Sequence, residues 1–578
     1  MKVTKFCIIL GLASLLTVSC AQRFGYPVEG EGWYSIRTGF PTRDQLAPGT
    51  WEITGVSVNG TRAKDFLLYQ GKKEVYDKKI EAGSSFEVKI RYSWERDTDY
   101  EVKVELQNTE SGESASLQKT TESPSRKGYW NPEWKNYLSL LISEENGYQR
   151  TDYPVHATVG ILSSYLLSPD EIRVVKTKKK GKDISYTEIP RQVYGVTHWA
   201  DAKLLSTEEI DENTGMRITR YHPTTTLSIA FQVNLEPYEK ATYLVFYNNP
   251  EAEKPSFDSD LQVNGTGLAK TIENSFYKVV LDERSGMVTE IFEKETGIKL
   301  EHKLETNGAI HWNPGVYSPP HMWSHCSDWE NPKFSEVNGP VFYCLHRTAP
   351  LPHLQDVIVS ITYHFYKDSP FILVDSIMEI KEDLFVKALR NGEVVFNKEV
   401  FDKAAYKTLT RTINVIDFTR SRMHPDHVVT LRPDTPWIAF FNRKKNIAFS
   451  NLFLDFSATN LAGGKASVQQ PYIYIQHGPW YYLSRAFVYS FGSNNQSRML
   501  PVKKGSVYHE RTAWMAFPLE HKGYFSYVDA TYNMLKYPLS VVEEIETYPE
   551  SPEGWLVPIL TEPFEEGVKE AIGGEKKK

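Results

Sequence analysis

The sequence predicts an all-β protein that consists of several antiparallel β-sandwiches, and three observations support this fold class. Apolar and polar residues alternate in many short segments, as they do in strands that bury one face. Few segments show the period of an amphipathic helix. The chain has 578 residues, which is more than one hydrophobic core holds together, so we expect two to four domains of roughly 150 residues each.

The composition excludes several classes of protein. Charged residues make up 24% of the chain and the mean hydropathy is −0.44, which excludes both a disordered chain and a protein with many membrane spans. The net charge of −7 gives no reason to expect a nucleic-acid partner, because phosphate binding needs clustered Lys and Arg. The 34 Tyr, 28 Phe and 13 Trp indicate a soluble protein rich in aromatic rings.

The N-terminus predicts export. Lys2 and Lys5 precede the apolar residues 6–16, and small residues before Cys20 form a cleavage site, as in a secretory signal peptide. The apolar run is too short to span a bilayer. Because it ends at Cys20, the segment resembles a bacterial lipoprotein signal, which implies lipidation of Cys20 and a periplasmic or outer-membrane location. The lipid anchor is then the only membrane contact that we expect.

Two cysteines remain in the mature chain, Cys326 and Cys344. In an oxidising compartment they could form a disulfide. The alternative is a pair of buried free thiols, and the sequence leaves both alternatives open.

The residue pattern divides the chain into six segments. Residues 20–50 are rich in Gly, Pro and polar residues and are expected to form a tether. Alternation at 86–92 and at 100–106 predicts two antiparallel strands of an immunoglobulin-like sandwich. The expected boundaries are 1–19 for the signal peptide, 20–50 for the tether, 51–122 for the immunoglobulin-like sandwich, 128–265 for a second sandwich, 266–540 for the largest domain and 541–578 for a C-terminal tail.

The largest domain shows clear strand signals. Residues 276–282 and 287–292 flank a turn at Gly286, which predicts a β-hairpin. Within residues 357–366 apolar and polar residues alternate, so one face of this strand should lie in a core while the other carries polar side chains such as His364.

Several segments resemble bacterial carbohydrate-active enzymes. Segments 150–155, 189–193 and 243–250 resemble the β-domain that opens several of these enzymes. Segment 272–277, with the turn at Gly286, resembles the start of their galactose-mutarotase-like β-supersandwich, and segment 389–396 resembles part of some exo-acting polysaccharide lyases. The resemblance covers roughly residues 145–535.

This resemblance implies that the largest domain is a galactose-mutarotase-like supersandwich. It also implies a polysaccharide lyase of the Bacteroidetes type, near the exo-acting rhamnogalacturonan lyases or the L-rhamnose-α-1,4-D-glucuronate lyases. The same fold hosts hydrolases, isomerases and binding proteins, so fold analogy alone does not fix the reaction.

Candidate functional residues occur in clusters of aromatic and polar side chains. The first cluster follows Pro319-Pro320 and contains His321, Trp323, His325, Asp328 and Trp329. Two His four residues apart and an Asp could ligate a divalent metal. The prolines favour a loop instead, whose Trp and His side chains could bind a sugar.

Three further clusters follow along the chain. The segment 420–427 contains Arg, His and Asp426, which could hold a carboxylate or only one another. The next contains His477, Trp480, Tyr482 and Arg485 around a Gly-Pro turn, where a functional loop and an aromatic plug over the sheet are equal alternatives. The last contains Tyr508, His509, Glu510, Arg511 and Trp514, and strand alternation should split these residues between two faces.

These residue types suit β-elimination at a uronic acid. The reaction needs a cation that neutralises the carboxylate, a base that removes the C5 proton and an acid that protonates the departing O4. The candidate bases are His325 and His477, the candidate acids are Tyr482 and Tyr508, and the candidate cations are Arg390, Arg485 and Arg511; His509 is a further catalytic candidate. The candidate substrate-binding residues are His321, Trp323, Trp329, Arg390, Asn391, Trp480 and Trp514.

The first hypothesis is therefore an exported polysaccharide lyase that acts on a uronate-containing oligo- or polysaccharide. The sequence fixes no cofactor for it, and the divalent metal considered above stays an open alternative. A glycoside hydrolase on the same fold is the second, and it would need two of Asp328, Asp426 and Glu510 to flank one bond. A non-catalytic glycan-binding lipoprotein is the third.

Overall fold

The computed structural model describes residues 34–42, 45–63, 66–70, 73–92, 99–122, 130–131, 133–180, 183–210, 217–301, 310–311, 314–408, 412–418, 427–459, 470–475, 480–489, 499–520, 523–544 and 555–556. The predicted signal peptide, Cys20, Asp426 and His477 lie outside these residues. The all-β prediction is confirmed, because the described residues form antiparallel sheets and a single α-helix. No helix among the described residues is long and apolar enough to cross a membrane.

The first sandwich consists of two five-stranded sheets around a small apolar core. One sheet contains β40 (Trp555–Leu556), β1 (Tyr34–Pro41), β7 (Ser85–Tyr92), β4 (Phe66–Gln70) and β5 (Lys73–Glu74). The other contains β3 (Thr61–Arg62), β2 (Thr50–Val58), β8 (Asp99–Asn108), β9 (Ser114–Glu122) and β6 (Lys79–Glu81). Strand β1 lies inside the expected tether, yet it pairs with β7 along its whole length, so the sandwich begins earlier than the composition indicated.

The second sandwich packs a five-stranded sheet against a three-stranded one. The five-stranded sheet contains β13 (Asp183–Ile189), β12 (Arg173–Lys180), β16 (Lys240–Tyr247), β10 (Asn136–Ser143) and β39 (Ser540–Glu544). The three-stranded sheet contains β11 (Arg150–Leu162), β15 (Arg217–Leu235) and β14 (Arg191–Ile210), and two 3-10 helices span Ser163–Tyr165 and Pro169–Glu171. Residues 541–544, expected in the tail, instead pair with β10.

The largest domain is a β-supersandwich. Its nine-stranded sheet contains β24 (Lys333–Asn338), β25 (Phe342–Leu351), β26 (Leu354–Tyr366), β27 (Phe371–Ile380), β38 (Val507–Pro518), β34 (Ile447–Thr459), β33 (Trp437–Asn442), β30 (Lys403–Lys407) and β31 (Ile413–Asp417). Its six-stranded sheet contains β23 (His321–His325), β22 (Gly315–Ser318), β29 (Ala388–Asn397), β36 (Trp480–Tyr489), β35 (Gln470–Ile475) and β32 (His427–Thr430). Smaller elements are β17 (Gln262–Thr266), β18 (Ala269–Glu273), β19 (Tyr277–Leu281), β20 (Val288–Glu293) and β21 (Ile298–Glu301) in one sheet, β28 (Leu384–Val386) with β37 (Leu500–Val502), a 3-10 helix at Cys326–Asp328 and α1 (Phe525–Lys536).

The two large sheets share one core. We call the face of each sheet that contacts the other its inner face, and the opposite face its outer face. Val359 and Ile361 of the nine-stranded sheet belong to the same buried cluster as Val394 and Leu483 of the six-stranded sheet. Each such fully buried side chain contributes about 1.5–3 kcal/mol to folding. The predicted alternation of residues 357–366 is confirmed, because the intervening polar residues lie on the outer face.

The outer face of the nine-stranded sheet contacts both α1 and the second sandwich. Apolar residues of α1 pack on β33 and β38. From the second sandwich, the side-chain oxygen of Gln192 accepts hydrogen bonds from the backbone N–H groups of Val341 and Phe342 at 3.1 and 2.9 Å. His156 lies 2.8 Å from the Tyr194 hydroxyl and 3.0 Å from the Tyr366 hydroxyl, so this imidazole joins the two domains.

Cys326 and Cys344 are both free thiols, so of the two alternatives that the sequence left open, the disulfide is not formed. Cys326 belongs to the core between the two large sheets, whereas Cys344 packs against the apolar cluster on the outer face of the nine-stranded sheet. The sheet itself separates the two sulfur atoms. Burial raises the pKa of the Cys344 thiol to about 12.

Candidate functional site

The outer face of the six-stranded sheet gathers aromatic side chains around one arginine. Strand register places His325, Gly315 and Arg390 directly opposite one another on β23, β22 and β29. Residues opposite one another in a sheet project from the same face. Arg390 is therefore flanked by a histidine on one side and by the strands β36 and β35 on the other.

Arg390 lies at the centre of this group. Its Nη1 atom donates hydrogen bonds to the hydroxyl oxygens of Tyr472 and Tyr482 at 2.8 and 3.2 Å. Its Nη2 atom forms an ion pair with Glu393 Oε2 at 3.1 Å. The guanidinium carbon lies 3.7 Å from the centroid of the Trp323 ring, a cation–π contact that is stronger when water is excluded. Arg390 itself is only 5% exposed.

Burial and charge act in opposite directions on these groups. Burial alone would lower the pKa of Arg390, but Glu393 and the two tyrosines raise it above its ordinary value, so the guanidinium stays charged. Burial raises the pKa of Tyr472 to about 12 even though Arg390 opposes the shift. Burial likewise raises the pKa of Tyr482 well above its ordinary value. Both phenols are therefore protonated at neutral pH and can donate a proton.

His325 extends the aromatic group toward the edge of the sheet. The Trp323 and His325 rings are stacked, with centroids 5.5 Å apart and an interplanar angle of 13°. Nδ1 of His325 lies 3.6 Å from Asp328 Oδ2, because the 3-10 helix Cys326–Asp328 turns the carboxylate back toward the imidazole. At the end of β23, His321 stacks on His353 with centroids 4.5 Å apart.

Glu393 reaches Arg390 through an irregularity of β29. In a regular strand, residues three positions apart lie on opposite faces. The register of β29 against β36 shifts between Asn391 and Val394, and Gly392 has a φ of +62°, as expected of a β-bulge. The extra residue puts Glu393 on the same face as Arg390.

Three groups of this site were not among the sequence candidates. Glu393 was missed because alternation assigns it to the wrong face. Tyr472 and Tyr474 could have been found, since they alternate with isoleucines in β35, and Tyr474 lies directly opposite Tyr482. The Tyr474 and Tyr482 ring centroids are 5.1 Å apart.

Several predicted site residues lie on the inner face, away from this group. Arg485 Nε donates to Glu510 Oε1 at 2.6 Å, and both side chains are almost fully buried. Asn391 Oδ1 accepts a hydrogen bond from Ser376 Oγ at 2.9 Å. Tyr508, Trp514 and Trp329 belong to the buried core cluster, and Trp329 donates its Nε1–H to the Pro350 carbonyl at 2.8 Å.

The remaining candidates lie elsewhere. His509 and Arg511 project from the outer face of the nine-stranded sheet, where His509 Nε2 is 3.0 Å from Asp375 Oδ1. Trp480 begins β36, and its side chain lies outside the described part of the structure, as does His477. The structure therefore brings together Trp323, His325, Arg390 and Tyr482, with His321 near the rim.

Metal binding finds no support in the described part of the chain, where no group of three or more His, Cys, Asp or Glu side chains is arranged to hold an ion. The predicted pair of His321 and His325 also projects from a strand, β23, and not from a helical turn.

No protein-family model and no curated protein matches this sequence. Among solved structures, an α-mannosidase from Enterococcus faecalis V583 matches with a TM-score of 0.44 and 9% identity, over 74% of this chain and 48% of the mannosidase. A protein in glycosyl hydrolase family 38 from Enterococcus faecalis matches with a TM-score of 0.42 and 10% identity, over 74% of this chain and 49% of that one. This chain thus spans about half the length of each.

A galactose mutarotase related enzyme from Lactobacillus acidophilus matches 43% of this chain over 96% of its own length, with a TM-score of 0.28 and 11% identity. Likeness at these TM-scores supports no conclusion about activity. The function of this chain has to be inferred from its own side chains.

Proposed function

We propose that this protein is a carbohydrate-active enzyme, an exported polysaccharide lyase that cleaves a uronate-containing glycan by β-elimination. The site is the outer face of the six-stranded sheet. One observation carries the proposal: a buried guanidinium, Arg390, donates hydrogen bonds to two tyrosine hydroxyls while it stacks on Trp323, beside His325. The three roles that β-elimination needs are thus present within one group of side chains.

Each side chain has a separate role in the proposed reaction. Arg390 stabilises the negative charge that develops on the substrate carboxylate as the C5 proton leaves. The Nε atom of Arg390 makes no hydrogen bond within the described structure. His325 accepts the C5 proton, and Asp328 orients the imidazole. The C5–H electron pair forms the C4–C5 double bond, the C4–O4 bond breaks, and Tyr482 gives its phenolic proton to O4.

Trp323 and the neighbouring tyrosines would hold the sugar. Aromatic rings offer flat apolar faces to the C–H side of a pyranose, while their polar edges and the nearby hydroxyls bind its oxygens. Tyr317 packs 5.3 Å from Trp323 between ring centroids, so the aromatic surface continues along β22. This surface supports a glycan as the substrate class.

Elimination is better supported than hydrolysis. A hydrolase needs two carboxyl groups on either side of the bond, roughly 5–9.5 Å apart. Of the three predicted carboxylates, Glu510 lies in the core with Arg485, whereas Asp328 lies on the opposite side of the six-stranded sheet beside His325. Asp426 is outside the described residues. Glu393, the other carboxylate of the site, forms an ion pair with Arg390.

The direct test is incubation with uronate-containing oligosaccharides. A lyase releases a product whose new double bond absorbs in the ultraviolet, and Tyr482→Phe should lower kcat by about 10²- to 10⁴-fold. Tyr481→Phe is the matched control, because this neighbouring hydroxyl is buried in the core and has no hydrogen-bond partner among the residues that the structure describes. New reducing ends without ultraviolet absorbance would contradict elimination, as would an unchanged kcat for Tyr482→Phe.

Export is the second part of the proposal, and it rests on the N-terminal sequence alone. Cys20→Ala should prevent incorporation of radiolabelled palmitate and release the protein from the membrane fraction. Equal labelling of the wild type and of the variant would contradict the lipid anchor.

A further inference from the structure

The outer face of the nine-stranded sheet carries four charged side chains in its middle. His509 Nε2 lies 3.0 Å from Asp375 Oδ1, and His509 Nδ1 lies 4.0 Å from Asp455 Oδ2. Arg511 Nε lies 3.9 Å from Asp375 Oδ2. We call Asp375, Asp455, His509 and Arg511 the outer-face quartet. They stand on β27, β38 and β34, the fourth, fifth and sixth strands of the nine.

The quartet is open to solvent in a sheet face that is otherwise mostly covered. Its side chains are 31% exposed for Asp375, 24% for His509, 49% for Arg511 and 63% for Asp455. Farther along the same strands, the outer face is buried under α1 and the second sandwich. A central stretch of sheet that is polar and uncovered is a surface on which a ligand can lie.

The charges of the quartet select the class of ligand. The hydrogen bond and charge of Asp375 raise the pKa of His509, although burial opposes the shift, which favours the protonated imidazole, and Arg511 adds a guanidinium beside the two carboxylates. The two carboxylates would repel an anionic ligand and the guanidinium would repel a cationic one, so neither kind of ligand is favoured. A neutral ligand with many hydroxyls can instead donate to the carboxylates and accept from His509 and Arg511.

A row of side chains connects the quartet to a hollow near the sheet edge. Strand register aligns Lys333, Thr348, Ser360, Ile377 and His509 across five neighbouring strands. The hollow has a volume of about 480 Å³, and its lining includes Lys333, Thr348 and Ile358. Thr348 and His509 are three strand spacings apart, about 14 Å. This distance suits a short oligosaccharide lying across the strands, with Ile377, which is 36% exposed, as the apolar contact for its sugar rings.

We infer that the outer-face quartet and the adjoining row form a second carbohydrate-binding surface, which takes neutral sugar units and is separate from the Arg390 site. The two surfaces lie on opposite sides of the supersandwich, because one is the outer face of the nine-stranded sheet and the other the outer face of the six-stranded sheet. A polysaccharide could contact this surface while another part of the chain is cleaved. The inference does not depend on the reaction at Arg390.

Binding of neutral oligosaccharides tests the inference. Galactose, mannose and rhamnose oligosaccharides that contain no uronic acid are titrated into the full chain and followed by saturation-transfer NMR. Asp375→Asn and Asp455→Asn should each weaken binding about tenfold, since each removes a charged hydrogen-bond acceptor. Asp455 is the safer variant for folding, because it is mostly exposed. Glu105→Gln, which changes an exposed ion pair of the first sandwich, should leave binding unchanged.

Tyr482→Phe separates the two surfaces. Unchanged binding by this variant, together with the loss in Asp375→Asn and Asp455→Asn, supports a second surface whether or not the protein proves to be a lyase. Binding that falls in Tyr482→Phe and not in the quartet variants would overturn it. Absence of binding by the wild type to all three sugar series would overturn it as well, and would mean that the quartet is a surface ion network only.

Discussion

The buried pair Arg485–Glu510 should stabilise the supersandwich and not act on a substrate. Glu510 is 2% exposed and Arg485 1%, and the two are joined by a hydrogen bond of 2.6 Å. The guanidinium also packs 4.2 Å from the centroid of the Phe456 ring. Glu510→Gln keeps the volume but leaves the cation of Arg485 in the core without its anion, which costs about 3–5 kcal/mol. The corresponding fall in Tm is about 10 °C.

A double-mutant cycle tests this reasoning by thermal unfolding followed by tryptophan fluorescence. Arg485→Met should also destabilise the folded protein, because it leaves the carboxyl group of Glu510 buried without its cation. Burial already raises the pKa of Glu510, and Arg485 is the main group that opposes this shift. The double variant Arg485→Met/Glu510→Gln should recover most of the loss, since a buried ion pair can be replaced by uncharged groups at little cost. Additive losses, or a loss below about 1 kcal/mol for Glu510→Gln, would refute the account.

Three further predictions follow from the structure. In urea unfolding, Gly286→Ala should lower the free energy of unfolding by about 1–3 kcal/mol more than Gly297→Ala does. Both glycines have φ near +69°, but of the two only Gly286 would place the new Cβ against a side chain, at 2.7 Å. Equal losses in the two variants would contradict this. Burial lowers the pKa of His364 from 6.5 to about 4, so the stability that this imidazole contributes is complete above pH 6.5 and is lost as the pH falls toward 4, by about 3 kcal/mol; a Tm that does not fall over this pH range would contradict this. Cys344 should react slowly with a thiol-specific disulfide reagent at pH 8 until the protein is denatured, since its raised pKa leaves little thiolate; rapid reaction of the native protein would contradict this.

Strand periodicity predicted much of the fold and part of the site. Alternation required His509 and Arg511 to lie on one face of β38 and Tyr508 and Glu510 on the other, and the structure has them so. The same rule, applied to β36, would have separated Tyr482 from Arg485, because residues three positions apart in a strand project from opposite faces. The sequence grouped them because they are close along the chain, and closeness along a strand does not mean a shared face.

Other features depend on the assembled fold. The hydrogen bond between Arg390 and Tyr472 joins residues 82 positions apart. Their strands are separated in the sheet by β36, and a local sequence pattern does not predict the order of strands in a sheet. Strand β1 escaped detection for a similar reason. Its residues show weak alternation and become a strand only because β7 supplies their backbone partners. Tertiary context determines whether such a segment forms a strand more than intrinsic propensity does.

The bulge of β29 restricts what can evolve at one position. Gly392 has a positive φ, and a Cβ at this residue would lie 2.6 Å from Glu510 Oε2. On the outer face the same bulge sets the distance between Arg390 and Glu393. A substitution would therefore strain the backbone, displace a carboxylate of the core and disturb the ion pair of the candidate site together. Homologous chains that keep both ion pairs should keep glycine here for these independent reasons, even where the surrounding strand has diverged.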